Sequence, residues 1–265
     1  TYRCSEFFVL TGTIDVIDLP LFYLFAIPAV LITGISKGGF GGGLGLIAVP
    51  MMSFAISPVQ AAAIMLPILC LMDIFGVVRF RQYADWTHLS ILLPAALLGI
   101  IIGTFSFHYL NEAQIKLMIG LVAMAFVLNH LRGKGNNEAK AASVWRGGFW
   151  GIIGGFTSFG VHAGGAPLNI YLLPLKLNKS AFVGTTVIFF TAVNYIKLVP
   201  YFWLGQFTSD TLLTALVLAP LAPLGVYLGS FLHHRIDDRW FYRICYGLLT
   251  LAGTKLLFDG LSGLV

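Results

Sequence analysis

Few side chains in this sequence are equipped for polar chemistry, and the most informative ones sit inside apolar runs. Of eleven acidic residues only Asp73 falls within such a run, and of sixteen basic ones only Lys37 and Lys197 do. An ionisable group in an apolar span is costly and marks a pathway or a binding site. Lys37 lies in Gly34-Ile-Ser-Lys-Gly-Gly-Phe-Gly-Gly-Gly-Leu-Gly-Leu-Ile-Ala-Val-Pro50, which holds seven glycines. Each glycine disfavours helix by roughly 1 kcal/mol relative to alanine, so the stretch should break and expose backbone N–H groups. Exposed N–H groups beside a lysine suit an anion.

A second break follows at Gly154-Gly-Phe-Thr-Ser-Phe-Gly-Val-His-Ala-Gly-Gly-Ala-Pro-Leu-Asn-Ile-Tyr-Leu-Leu-Pro174, with His162 in the place that Lys37 holds in the first. Short helices are expected to start at Gly43 and at Ala166. Gly41, Gly42 and Gly43, with Gly164, Gly165 and Ala166, would then turn N–H groups toward one oxyanion. Ser36, Ser158 and Asn169 are further hydrogen-bond donors within reach of such a ligand. Asp73 has three readings: a proton carrier, a partner for a lysine, or a satisfied structural carboxylate. Lys197, seven residues before its helix should end, either lines the pathway or snorkels to the interface. His88, His108, His130, His233 and His234 fall at loop edges, where solvation is expected.

The elements that must position these groups follow from composition. The chain of 265 residues is 58% hydrophobic and 10% charged, with mean hydropathy +0.87. Those values exclude an ordinary soluble domain and indicate an all-α, polytopic integral membrane protein, partnered by the lipid bilayer. The net charge of +5 resides mainly in short loops, where it orients a membrane chain, so nucleic acid is not an expected partner. Thr1 to Leu19 carries Arg3, Glu6, Asp15 and Asp18, and no cleaved leader is expected there. Cys4, Cys70 and Cys245 are scattered and set up neither a disulfide framework nor a metal site. No cofactor or metal is implied.

Apolar segments are expected at Leu19–Ser36, Leu44–Ala55, Val59–Phe80, Thr87–Tyr109 and Ala113–Leu131. A polar linker, 132–145, separates them from Gly147–Ser158, Ala166–Leu175, Ala181–Leu204, Thr211–Leu232 and Trp240–Phe258. Residues 1–131 and 146–265 then form two repeats. Pro94-x4-Gly99-x3-Gly103 matches Pro220-x4-Gly225-x3-Gly229 at a shift of 126, and a shift of 121 sets Asp73 against Asn194. The paired small residues of the first motif read as helix-packing faces. Asn194 keeps the polarity of Asp73 without its charge, so the halves do unequal work there.

Charge distinguishes two topologies. If each glycine-rich break lies in one spanning helix, the loop cations divide eight against six between the two sides. If each is a re-entrant hairpin followed by three spans, the second repeat is inverted and they divide eleven against three. The second count satisfies the positive-inside rule. It predicts two inverted-topology repeats in the cytoplasmic membrane, with the linker inside and both termini outside. The leading arm, Leu19–Ser36, is long for half a hairpin, and Pro28 is available to kink it.

The duplicated glycine-rich segment ending in proline, Gly38 to Pro50 and Gly164 to Pro174, resembles the TauE/SafE family of membrane permeases, also called the sulfite exporter or TSUP family. Ser57-Pro-Val-Gln-Ala-Ala62, Val183-Gly-Thr-Thr186 and the two Pro-x4-Gly-x3-Gly elements carry the same resemblance, which covers about Phe22 to Phe258. The second copy departs from the first, with Ala166-Pro167 where the first has Gly42-Gly43. The resemblance implies a secondary transporter of a small sulfur oxyanion such as sulfite or an organosulfonate. Lys37 and His162 would then sit at the binding site, and Asp73, Asn194 and Lys197 on an ion-coupling path that carries a proton. An anion channel using the same glycine loops as a filter is the alternative. An enzyme is not expected, because the one tempting pair, Ser158 and His162, lacks a nucleophile motif and a third group to orient the base.

Overall fold

The computed structural model describes residues 17, 20–42, 45, 48–106, 112–131 and 142–263. Helices dominate and no strand occurs among the described residues. In chain order they are α1 (Pro20–Gly39), α2 (Ala48–Met52), α3 (Pro58–Phe80), α4 (Trp86–Ser106) and α5 (Glu112–Leu131). The second half contributes α6 (Val144–Val161), α7 (Gly165–Leu172), α8 (Lys179–Trp203), α9 (Ser209–Leu218), α10 (Leu221–Arg235) and α11 (Asp238–Ser262). α1, α3, α4 and α8 are each long and apolar enough to cross a membrane, and α9 with α10 forms a fifth candidate span bent by 43°. Most of the 132–145 linker lies outside the described residues.

Caps and breakers fix the boundaries. Ser57, Asn178 and Asp237 each accept a hydrogen bond from the first turn of the helix that follows. α1 continues through Pro28 as one helix of 20 residues, about 30 Å long, which matches the full thickness of the hydrocarbon core rather than half of it. The span expected at Thr211–Leu232 instead divides between α9 and α10. Two prolines, Pro220 and Pro223, fall one turn apart there and remove two backbone donors, whereas α4 has Pro94 alone and stays continuous. The first short helix is described over Ala48–Met52, and its expected start at Gly43 lies outside the described residues. α7 begins at Gly165, one residue before the expected Ala166.

The sequence halves interlock rather than fold side by side. α1 lies along α10 and α4 along α6, while α3 packs on α8 and α5 on α11. Exchanging the halves leaves these pairings unchanged. Direction can be read from the contacts. Asp73, Gly76 and Phe80 of α3 meet Asn194, Val187 and Gly184 of α8, so the two matched helices run antiparallel. Gly120 and Gly260 contact Leu257 and Leu117, which makes α5 and α11 antiparallel as well. α1 and α10 run parallel, with Gly34 against Gly225 and Gly39 against Gly229.

Glycine makes the last type of contact possible. A Cβ on Gly38 would fall on Val226, one on Gly155 on the Ala96 carbonyl, and one on Gly99 on the Ile152 carbonyl. The backbones of crossing helices are therefore in direct contact, as the small-residue motifs predict. Gly155→Ala is expected to destabilise the detergent-solubilised protein by about 1–3 kcal/mol. Gly148→Ala, on the same helix and facing open space, should be neutral or stabilise by up to about 1 kcal/mol. Equal thermal stability of the two variants would contradict the backbone contact.

Candidate functional site

The loops after α1 and α6 both end at the α3–α8 pair. α1 closes with its Ser36 carbonyl accepting hydrogen bonds from Phe40 N–H (2.8 Å) and Gly42 N–H (3.0 Å). That closure needs left-handed backbone at Gly41 (φ +70°) and Gly42 (φ +73°), which glycine adopts without strain. α6 closes similarly on His162, itself left-handed at φ +53°, with Ala163 N–H bonded to the Thr157 carbonyl at 3.2 Å. A histidine in that conformation is uncommon and is held here by bonds on both of its ring nitrogens.

Around the first loop, Lys37 Nζ is 2.5 Å from Asp73 Oδ1, with both side chains buried. The other carboxylate oxygen accepts from Asn194 Nδ2 at 2.7 Å. Lys37 also reaches the Leu69 carbonyl and lies 5.8 Å from the centre of the Phe190 ring. The repeat mates Asp73 and Asn194 thus meet directly, and Asn194 orients a carboxylate whose charge Lys37 balances.

Around the second loop, Lys197 is fully buried and does not snorkel. Its Nζ lies 2.9 Å from the Ser158 carbonyl, 3.1 Å from Ser158 Oγ and 2.8 Å from His162 Nδ1. Three acceptors match the three donors of an ammonium group. His162 Nε2 is 3.0 Å from the Ala62 carbonyl, and a carbonyl can only accept. Nε2 therefore carries the ring proton and Nδ1 offers a lone pair to Lys197, which defines a neutral imidazole. All three partners of Lys197 are uncharged.

Lys37, Gly42, Ser158, His162 and Asn194 line one small cavity, together with Gly45, Leu69 and Phe190. Its volume is about 20 Å³, room for one water molecule. Asp73 and Lys197 stand directly behind this lining. Gly41 turns instead toward Phe182 and Thr186 of α8, and Gly164 packs against Gly154, Ser158 and Phe190. Gly165 and Ala166 form the buried start of α7. Gly43 lies outside the described residues. Ser36 is buried near the end of α1. Asn169 is buried in α7 with neither amide atom hydrogen-bonded among the described residues, an arrangement that costs free energy until something satisfies it.

Three expectations change. The Gly42 N–H is engaged by Ser36, and side chains make up most of the cavity lining. Leu69 and Phe190 were not singled out, although the shift of 121 that pairs Asp73 with Asn194 also pairs them, one turn earlier on each helix. His88 and His233 are buried rather than solvated. His88 bonds Tyr171 Oη at 3.0 Å, and His233 Nδ1 donates to the Gly39 carbonyl at 3.1 Å, tying the end of α1 to α10.

Removing one member of the Lys37–Asp73 pair leaves a buried charge unpaired, expected to cost about 3–5 kcal/mol. The double variant Lys37→Met/Asp73→Leu should be less destabilised than the sum of the single changes, as read from unfolding in mixed micelles. Strict additivity would show that the two charges are not coupled.

A family profile described as "Sulfite exporter TauE/SafE" matches residues 26–256. A "Probable sulfite/organosulfonate exporter TauE" from Cupriavidus necator is 20% identical over 229 residues, covering 85% of this chain and 90% of the relative. No solved structure matches. With a match that takes in nearly every described helix, the chain belongs to the sulfite exporter TauE/SafE family of membrane proteins.

Proposed function

We propose that the protein is a secondary transporter for a small sulfur oxyanion, sulfite or an organosulfonate, bound between the α1–α2 and α6–α7 loops. The observation that carries this reading is the pair of buried lysines from different halves beside one small cavity. With Asp73 ionised and His162 neutral, the two lysines exceed the carboxylate by one positive charge, a match for a monoanion. The lysines supply the attraction, and Ser158, His162 and Asn194 supply directional hydrogen bonds. Asn169, whose buried amide has no partner among the described residues, is a further contact that the substrate satisfies as the site opens. The sulfite/organosulfonate exporter named among the relatives supports this substrate class.

Mechanism follows from competition for Lys37. Asp73 holds the Lys37 ammonium, so an incoming oxyanion must displace the carboxylate or wait for its protonation. Protonation of Asp73 frees Lys37 and adds one positive charge to the site, which couples a proton to the anion. The cavity, with room for about one water, favours a site opened to each side in turn over the continuous path that a channel filter requires. Antiparallel packing of α3 on α8 and of α5 on α11 supports inverted repeats, because a twofold that relates antiparallel helices must lie across them, in the membrane plane. The same directions gather Arg79, Arg146, Lys179 and Arg235 at one end, which supports a cytoplasmic placement for that end.

Sulfite flux into proteoliposomes across an imposed pH gradient tests the reading. Lys37→Ala and Lys197→Ala should each abolish flux, and Asp73→Asn should leave residual flux that no longer responds to the gradient. Undiminished flux in Lys37→Ala would rule out the site.

A further inference from the structure

A second cavity, unconnected with the loop site, lies on the outer surface of the bundle between α3 and α10. Its volume is about 440 Å³, within the ~300–1,000 Å³ range of ligand pockets. Its floor and walls include Phe75, Val78, Val226, Tyr227 and Phe231. Val78 and Tyr227 are 77% and 69% exposed, so this groove faces the acyl chains of the bilayer. Arg79, Ser230, His234 and Arg235 close it at one end.

The polar end is ordered. Arg79 Nε donates to Ser230 Oγ at 3.3 Å and Arg79 Nη2 to His234 Nε2 at 3.0 Å, while the Arg235 guanidinium lies 4.7 Å from the centre of the Phe231 ring. Hydroxyl, imidazole and phenyl partners position the two guanidiniums without cancelling their charge. These contacts fix the arginines where the C-terminal ends of α3 and α10 meet, at headgroup depth for helices of this length. The shift of 121 sets Pro200 against Arg79, and the shift of 126 sets Tyr109 against Arg235, so the other half carries neither arginine at the matching positions.

We propose that this groove is a binding site for an anionic phospholipid, whose phosphate is held by Arg79 and Arg235 and whose acyl chain lies along Phe75, Val78, Tyr227 and Phe231. Apolar walls running from a cationic rim select a lipid over a free phosphate ion, and two arginines select an anionic headgroup over a zwitterionic one. The site adjoins the helices of the charged pair. Val226 lines the groove on one side of α10 while packing on Gly38 of α1, and Phe75 lies two residues beyond Asp73 on α3. An occupying lipid therefore braces α3, which carries Asp73, against α10, which packs on the helix of Lys37.

Lipid binding to the delipidated full chain in neutral detergent, read by native mass spectrometry, tests the proposal. The probes are phosphatidylglycerol, phosphatidylcholine of the same acyl composition, and glycerol phosphate. Preferential retention of phosphatidylglycerol is expected. Its preference over phosphatidylcholine should fall about thirtyfold in Arg79→Gln/Arg235→Gln, from about fivefold per arginine. Arg235→Gln alone, at an exposed position, should give the intermediate value if the double variant proves unstable. Arg239→Gln, outside the groove, should leave the preference unchanged. Equal retention of the two lipids, an unaltered preference in Arg235→Gln, or equal binding of glycerol phosphate would each overturn the assignment.

Discussion

Burying charge is the constraint on which the rest of this structure depends. Lys37, Lys197 and Asp73 are removed from water inside a chain that is 10% charged overall. Each buried charge demands partners at fixed distances, and those partners come from distant parts of the chain: Asn194 on α8 for Asp73 on α3, Ser158 and His162 at the end of α6 for Lys197 on α8. Helix lengths, loop closures and the crossing of the two halves all serve to keep these groups within hydrogen-bonding distance.

The two ends of the site solve the same problem differently. On one side a lysine is neutralised by a carboxylate, and on the other a lysine is solvated by neutral oxygen and nitrogen. The difference traces to the replacement of Asp73 by Asn194 at the matching position, with His162 in place of the first loop's lysine. The two halves thereby acquire distinct electrostatic characters at matching positions.

Much of this was legible in the sequence because membranes leave few choices. Apolar length, with Gly, Pro and charge marking the loops, located nearly every helix, and internal matching at a shift of 121 set Asp73 against Asn194, which meet in the structure. Rarity of charge in the apolar runs pointed to Lys37, Asp73 and Lys197. What escaped depended on three-dimensional direction. Glycine density announced a break, but whether the Gly42 N–H would face a ligand or the Ser36 carbonyl was a matter of loop closure. Proximity to a loop suggested solvent for His233, yet its ring turns inward to Gly39 because α10 crosses α1 at that level. One proline against two was visible at Pro94 and Pro220, although only packing reveals which helix tolerates its prolines.

The glycine contacts between α1 and α10, and between α4 and α6, have a mechanical consequence. Backbone seated on backbone offers no side-chain rotamers to re-pack, so each of these pairs resists sliding. The rigid bodies of this molecule are then chimeric, each assembled from both halves of the polypeptide. Between them runs the α3–α8 seam, where Asp73 meets Asn194 and Gly76 meets Val187 through their side chains.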